Sequence, residues 1–141
     1  TTTGIGELAD VILTEQQARE FQKYLVYSHA AGYGEPVEEE YARAAITARI
    51  NTLCKGISGM RTEVVEKMIE IMNKGITPVM YPASVGACGD LAPLAQAMLV
   101  LIGEGEAFYN GERMNGRDAL RKASIEPIRF EIRDGLAAIN G

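Results

Sequence analysis

Ser84-Val85-Gly86-Ala87-Cys88-Gly89-Asp90-Leu91-Ala92-Pro93-Leu94 is the stretch on which the reading of this chain turns. Three small residues, Ala87, Cys88 and Gly89, stand between Gly86 and the acidic Asp90, directly ahead of an apolar run that reaches Ile102. Glycine adopts backbone angles closed to other residues, so the segment can fold back tightly on itself. Asp90 is a natural N-cap, and Pro93 suits the first turn of a helix, where its missing N–H is no loss. The helix that follows is nearly all apolar, which predicts a place at the centre of the fold. Read as Gly-x-x-Gly, Gly86 to Gly89 lacks the preceding strand and ribose-binding acid that a dinucleotide site needs.

The same stretch resembles the loop of the histidine, phenylalanine and tyrosine ammonia-lyases and of the related 2,3-aminomutases. That loop reads Gly-Ser-x-Gly-Ala-Ser-Gly-Asp-Leu-x-Pro-Leu; here Ala83 replaces the first glycine and Cys88 the serine. The resemblance implies that Ala87-Cys88-Gly89 cyclises to 4-methylideneimidazol-5-one, an electrophile made from the chain itself, with Asp90 assisting. To close that ring, the amide nitrogen of Gly89 must attack the carbonyl carbon of Ala87. An amide nitrogen is a poor nucleophile, so a strained turn must impose the geometry. Residue 88 then sheds its β-substituent: serine would lose water and cysteine hydrogen sulfide, and the ring is the same.

The resemblance extends along the whole chain. Ser28-His29-Ala30-Ala31-Gly32 is similar to histidine ammonia-lyases and tyrosine aminomutases, in which the histidine meets the polar side chain of the substrate. From the residues alone, His29 closes a helix, where the negative end of the dipole suits an imidazolium, and a capping histidine bonded to terminal carbonyls is the plainer reading. Gly4 and Glu7, in Thr3-Gly4-Ile5-Gly6-Glu7, match a loop whose glutamate binds the substrate amino group in tyrosine aminomutases; on its own Glu7 is also a plain loop carboxylate. Asn140-Gly141 matches the Asn-Gly pair whose asparagine supports ring formation and substrate binding. Gln96 stands where histidine lyases commonly have histidine, and Cys54 reads as a packed thiol.

Taken together, the resemblance implies an ammonia-lyase acting on a polar aromatic L-amino acid, tyrosine or histidine, and giving an α,β-unsaturated acid. It implies long bundled helices in a homotetramer, with residues 1–141 the central part of the electrophile-forming domain. The catalytic base and further substrate ligands would then come from other segments of the same polypeptide. A tyrosine-type 2,3-aminomutase, which re-adds the amine at the β-carbon, is the reading Glu7 favours. A non-catalytic assembly fragment stays open, as does an enzyme using Cys88 as a nucleophile at a helix N-terminus. His29, far from Cys88 in sequence, lends that last idea little.

Composition excludes other classes. The chain has 141 residues, 47% hydrophobic and 23% charged, as expected of one globular domain with a sizeable core. A net charge of −5 without a clustered basic patch argues against nucleic acid or an anionic membrane as the main partner. No apolar run approaches the ~18 residues of a transmembrane helix. Cys54 and Cys88 lack metal-ligand spacing, so no metal is expected and the cytoplasm is the default compartment.

The remaining elements follow from periodicity. Thr14-Glu15-Gln16-Gln17 is a capping box opening a helix with Ala18, Phe21, Leu25 and Ser28 on one face and Gly32 as its stop. A second helix runs from near Pro36 to Lys55, with one stripe of Tyr41, Ala45, Ala48 and Thr52 and another of Ile46, Ile50 and Leu53; two such faces predict burial between neighbours. A third spans about 62–73 with Val65, Met68, Ile69 and Met72 inward. After the apolar helix come a hairpin turned by Asn110-Gly111, a short helix near 117–123, an extended 128–132 and a helix starting at Asp134. The class is mainly α, a long-helix bundle with a small β-hairpin.

Overall fold

A computed structural model describes residues 3–82 and 91–140. Ala87, Cys88, Gly89 and Asp90, with the turn expected of them, lie outside the described residues.

Helix α1 (Glu15–His29) begins as the sequence requires. The Thr14 hydroxyl accepts from the Gln17 N–H at 3.2 Å, and the Gln17 side-chain oxygen accepts from the Thr14 N–H at 2.9 Å. Its buried face is Ala18, Gln22, Leu25 and Val26, whereas the expected Ser28 is exposed. The helix also stops earlier than Gly32, since Ala30 already leaves helical angles at φ −77 and ψ 37. Gly32 has another reason to be glycine: a Cβ there would stand 2.2 Å from Gln96 Nε2 and 2.8 Å from Tyr81 Cβ.

Helix α2 (Glu39–Leu53) buries a single stripe, Ala42, Ile46, Arg49 and Leu53. The stripe of Tyr41, Ala45, Ala48 and Thr52 is open in this chain, which corrects the expectation of burial on two faces. Cys54 at its C-cap is exposed too, not packed. Helix α3 (Thr62–Asn73) has the expected bounds and buries Val64, Val65, Met68, Ile71 and Met72. Ile69 sits at the margin of that face and is 37% exposed.

Three short strands, β1 (Thr77–Pro78), β2 (Glu106–Tyr109) and β3 (Glu112–Asn115), form an antiparallel sheet in that order, with Thr77 opposite Phe108 and Pro78 opposite Ala107. The hairpin turns at Asn110 (φ 52) and Gly111 (φ 78), both left-handed as a type I′ turn demands. The sheet thus gains a strand that sequence did not predict. Helix α4 (Leu91–Leu101) runs between β1 and β2 in the chain and forms the centre, with Ala95, Ala97, Met98 and Val100 fully buried. Around it pack α1, α5 (Gly116–Lys122) and α6 (Asp134–Ile139). The extended segment before α6 pairs with no strand among the described residues; Ile128 instead donates its N–H to the Leu101 carbonyl at 2.8 Å. No described helix is long and apolar enough to cross a membrane.

Candidate active site

Asn140 is placed by α6, a helix of six residues that is too short to hold itself together. Side chains from three other segments fix it instead. At its start the fully buried Asp134 receives Arg61 through Nε at 2.8 Å and Nη2 at 2.7 Å, and caps the Glu131 N–H at 2.8 Å. The bond to Asp134 is also what chiefly holds the Arg61 guanidinium above its ordinary pKa. One residue on, Gln22 of α1 accepts the Gly135 N–H at 3.0 Å. Near its end Arg49 of α2, 7% exposed, donates from Nη2 to the Ala137 carbonyl. Burial pushes that guanidinium down, and its Nε has no partner among the described residues. Asn140 itself is exposed; its N–H closes the helix on Leu136 at 3.0 Å.

A cavity of about 570 Å³ opens beside this end of α6, lined by Thr3, Ile5, Leu25, Arg49 and Arg133 as well as Asn140. The structure therefore brings the segment around Gly4 to Asn140. Gly4 is buried and donates to the Val11 carbonyl at 3.0 Å, and a Cβ on it would meet Leu8 O at 2.5 Å. Its visible task is to let that loop close. Glu7 is exposed in the 3-10 turn Gly6–Leu8, and neither it nor His29 lines the cavity.

His29 is half-buried at the last turn of α1, with Nδ1 2.8 Å from the Leu25 carbonyl and 3.0 Å from Ser28 Oγ. A carbonyl can only accept, so Nδ1 is the donor in this contact and Nε2 is the ring nitrogen left free. The capping role that the sequence left open is thus real, and it orients the ring. An oriented Nε2 can receive a phenol O–H or an imidazole N–H.

Sequence reading missed the polar residues that hold these parts. Arg49 interrupts the apolar spacing Ala42, Ile46, Leu53, and Gln22 does the same between Ala18 and Val26. A polar side chain on a buried stripe is the signal that could have found them. Gln96 of α4, which the sequence singled out only as a departure from histidine, is a third polar residue on a buried face: it accepts the Tyr81 N–H at 2.6 Å and donates to the Ala31 carbonyl at 2.8 Å. Tyr81, two positions ahead of residue 83 in the sequence, is thus pinned to α4. Among the described residues no group of His, Cys, Asp or Glu could hold a metal ion.

The central apolar helix with α1 and α6 packed on it belongs to a fold that this chain shares with aromatic ammonia-lyases and aminomutases. The family model for aromatic amino acid lyases matches residues 1–141, and the chain belongs to that family. It is 48% identical over 141 residues to the histidine ammonia-lyase of Alkaliphilus oremlandii, covering 99% of this chain and 28% of that relative. Among solved structures, phenylalanine aminomutase from Pantoea agglomerans superposes with a TM-score of 0.92 at 38% identity, covering 99% of this chain and 27% of the other. Histidine ammonia-lyase from Trypanosoma cruzi gives 0.89 at 37% identity, with 99% and 28% covered. The chain thus spans little more than a quarter of the length of these relatives.

Proposed function

We propose that the chain is the central, electrophile-forming part of an ammonia-lyase that removes ammonia from L-histidine. The observation that carries this is the fixed His29 ring within a chain 48% identical to a histidine ammonia-lyase. With Nδ1 committed to Leu25, Nε2 is left to accept the N–H of a substrate imidazole. A phenol would suit the same acceptor, so histidine is preferred over tyrosine on the strength of the relatives' substrate.

The chemistry of the segment fits 4-methylideneimidazol-5-one: Ala87 and Gly89 crowd ring closure little, and Cys88 carries a β-thiol that can leave. Formed there, the group supplies an electrophilic methylidene that turns an amine into a good leaving group. The chain's own residues do the remaining work in this reading. Asp90 assists cyclisation, Asn140 stands by the ring and the substrate, and the loop of Gly4 and Glu7 closes over the substrate. The base, the downstream ligands and the partner subunits of a homotetramer come from outside residues 1–141.

Glu7 favours a second reading, a 2,3-aminomutase that binds the substrate amine tightly enough to re-add it. One assay separates the two. The full-length enzyme is given histidine, tyrosine and phenylalanine, and the unsaturated acid, ammonia and β-amino acid are each measured. Histidine turned over to ammonia and unsaturated acid is the expected result. A β-amino acid as main product would establish the aminomutase, and no turnover of any aromatic amino acid would refute both.

A further inference from the structure

Gln96 is the polar residue on α4 to which the elimination chemistry gives no task. It is 6% exposed on a helix of otherwise apolar and small side chains. Both ends of its amide are used: Oε1 takes the Tyr81 N–H at 2.6 Å and Nε2 reaches the Ala31 carbonyl at 2.8 Å. The orientation is dictated, because an N–H can only donate and a carbonyl can only accept. Gly32 presses on the same spot, with room for no Cβ beside Gln96 Nε2 and Tyr81 Cβ. The Tyr81 ring is held as well, since Arg113 Nη2 donates to its hydroxyl at 2.6 Å. The two segments so joined lie just after His29 and just before residues 83–90.

We propose that Gln96 is a positioning residue that sets the His29 turn in register with the stem of the cyclising loop, an inference that rests on the ammonia-lyase reading. Without it, Tyr81 and Ala31 are free to slide against each other, and the residues they carry move with them. A displacement of about 1 Å in such a site costs on the order of a hundredfold in rate. The task belongs to a pair of hydrogen bonds, not to glutamine as such. A histidine can also do it, accepting at one ring nitrogen and donating from the other. Leucine fills the space and makes neither bond.

The test uses the full-length enzyme with Gln96→Leu and Gln96→His. Three readouts are taken: intact mass, kcat and KM separately, and hydrogen exchange of the Tyr81 amide. Gln96→Leu should speed Tyr81 exchange at least tenfold and lower kcat by roughly ten- to a hundredfold, with KM changed far less. Gln96→His should restore both. A Gln96→Leu enzyme with Tyr81 exchange and kcat within about twofold of wild type would overturn the proposal, as would a Gln96→His enzyme as impaired as the leucine variant. If Gln96→Leu does not fold, Gln96→His decides alone: near-wild-type kcat and exchange uphold the proposal, and a roughly tenfold lower kcat with roughly tenfold faster Tyr81 exchange overturns it. A wild-type enzyme that neither cyclises nor turns over would sink the lyase reading instead, and Tyr81 exchange would still judge Gln96.

Discussion

Removing Arg61 should loosen the helix that carries Asn140 before it disturbs anything else. The Asp134 carboxylate is completely buried, and Arg61 meets it with two nitrogens, at 2.8 and 2.7 Å. Arg61→Ala would leave that charge with the Glu131 N–H as its remaining donor among the described residues. Breaking a buried pair costs about 3–5 kcal/mol. The Arg61 side chain is 34% exposed, so water can enter the space it leaves, and the low end, about 3 kcal/mol, is the better figure. Since α6 has six residues and little stability of its own, the cost falls on local opening. Three kilocalories correspond to roughly a hundredfold faster exchange of the Ala137 and Asn140 amides, which close α6 on Arg133 and Leu136. Hydrogen exchange on the full-length protein reads this directly. Adding Asp134→Asn to Arg61→Ala removes the stranded charge and should recover part of the loss, so the two changes are not additive. Exchange that speeds up less than about fivefold in Arg61→Ala, or a double variant worse than the sum of both, would refute the reasoning.

Three further outcomes are expected. The mature full-length protein should weigh about 52 Da less than its sequence, for one water and one hydrogen sulfide, and Cys88→Ala should lack both the loss and turnover; an active Cys88→Ala enzyme contradicts the cofactor. His29→Phe should lower turnover of histidine relative to phenylalanine by roughly ten- to a hundredfold, for an unpaired polar group in a buried pocket is worth about 1–3 kcal/mol; a ratio within about twofold would leave His29 as a cap alone. Burial alone would raise the Glu104 carboxyl, but hydrogen bonds from Lys23 and Tyr27 outweigh it and hold the group below the ordinary carboxylate value. Its contribution is then present above the unfolded-state carboxylate pKa and lost as pH falls through the folded one, so the stability gap between wild type and Glu104→Gln should shrink below about pH 4.5; a gap as wide at pH 3 as at pH 7 would count against it.

Where a local rule decides the structure, the sequence was legible. The capping box at Thr14, the Asn110-Gly111 turn and the bounds of α3 each follow from a few neighbouring residues. What escaped depends on partners distant in sequence. β1 has two residues, too short for any alternation to show, and exists because Thr77 and Pro78 meet Phe108 and Ala107. Gly32 looked like a helix stop, but a close approach by Gln96 and Tyr81 is what requires it. On α2 the small residues of one stripe suggested a second buried face that this chain leaves open. The site divides in the same way. Asn140 and His29 were named through strings resembling a known family, whereas Arg49, Gln22 and Asp134, which hold the helix of Asn140, carry no string at all.

The pinning of Tyr81 also sets an order in time. Its N–H meets Gln96 across fifteen positions of chain, a contact that exists only once α4 has docked beside the turn after α1. The proposed ring, which needs imposed geometry, would have to wait for that docking. If the segment cyclises as proposed, the polypeptide is finished as a shape before it is finished as a reagent, and freshly folded molecules would differ from older ones in covalent structure. In any preparation, specific activity should record the age of the molecules as well as their number.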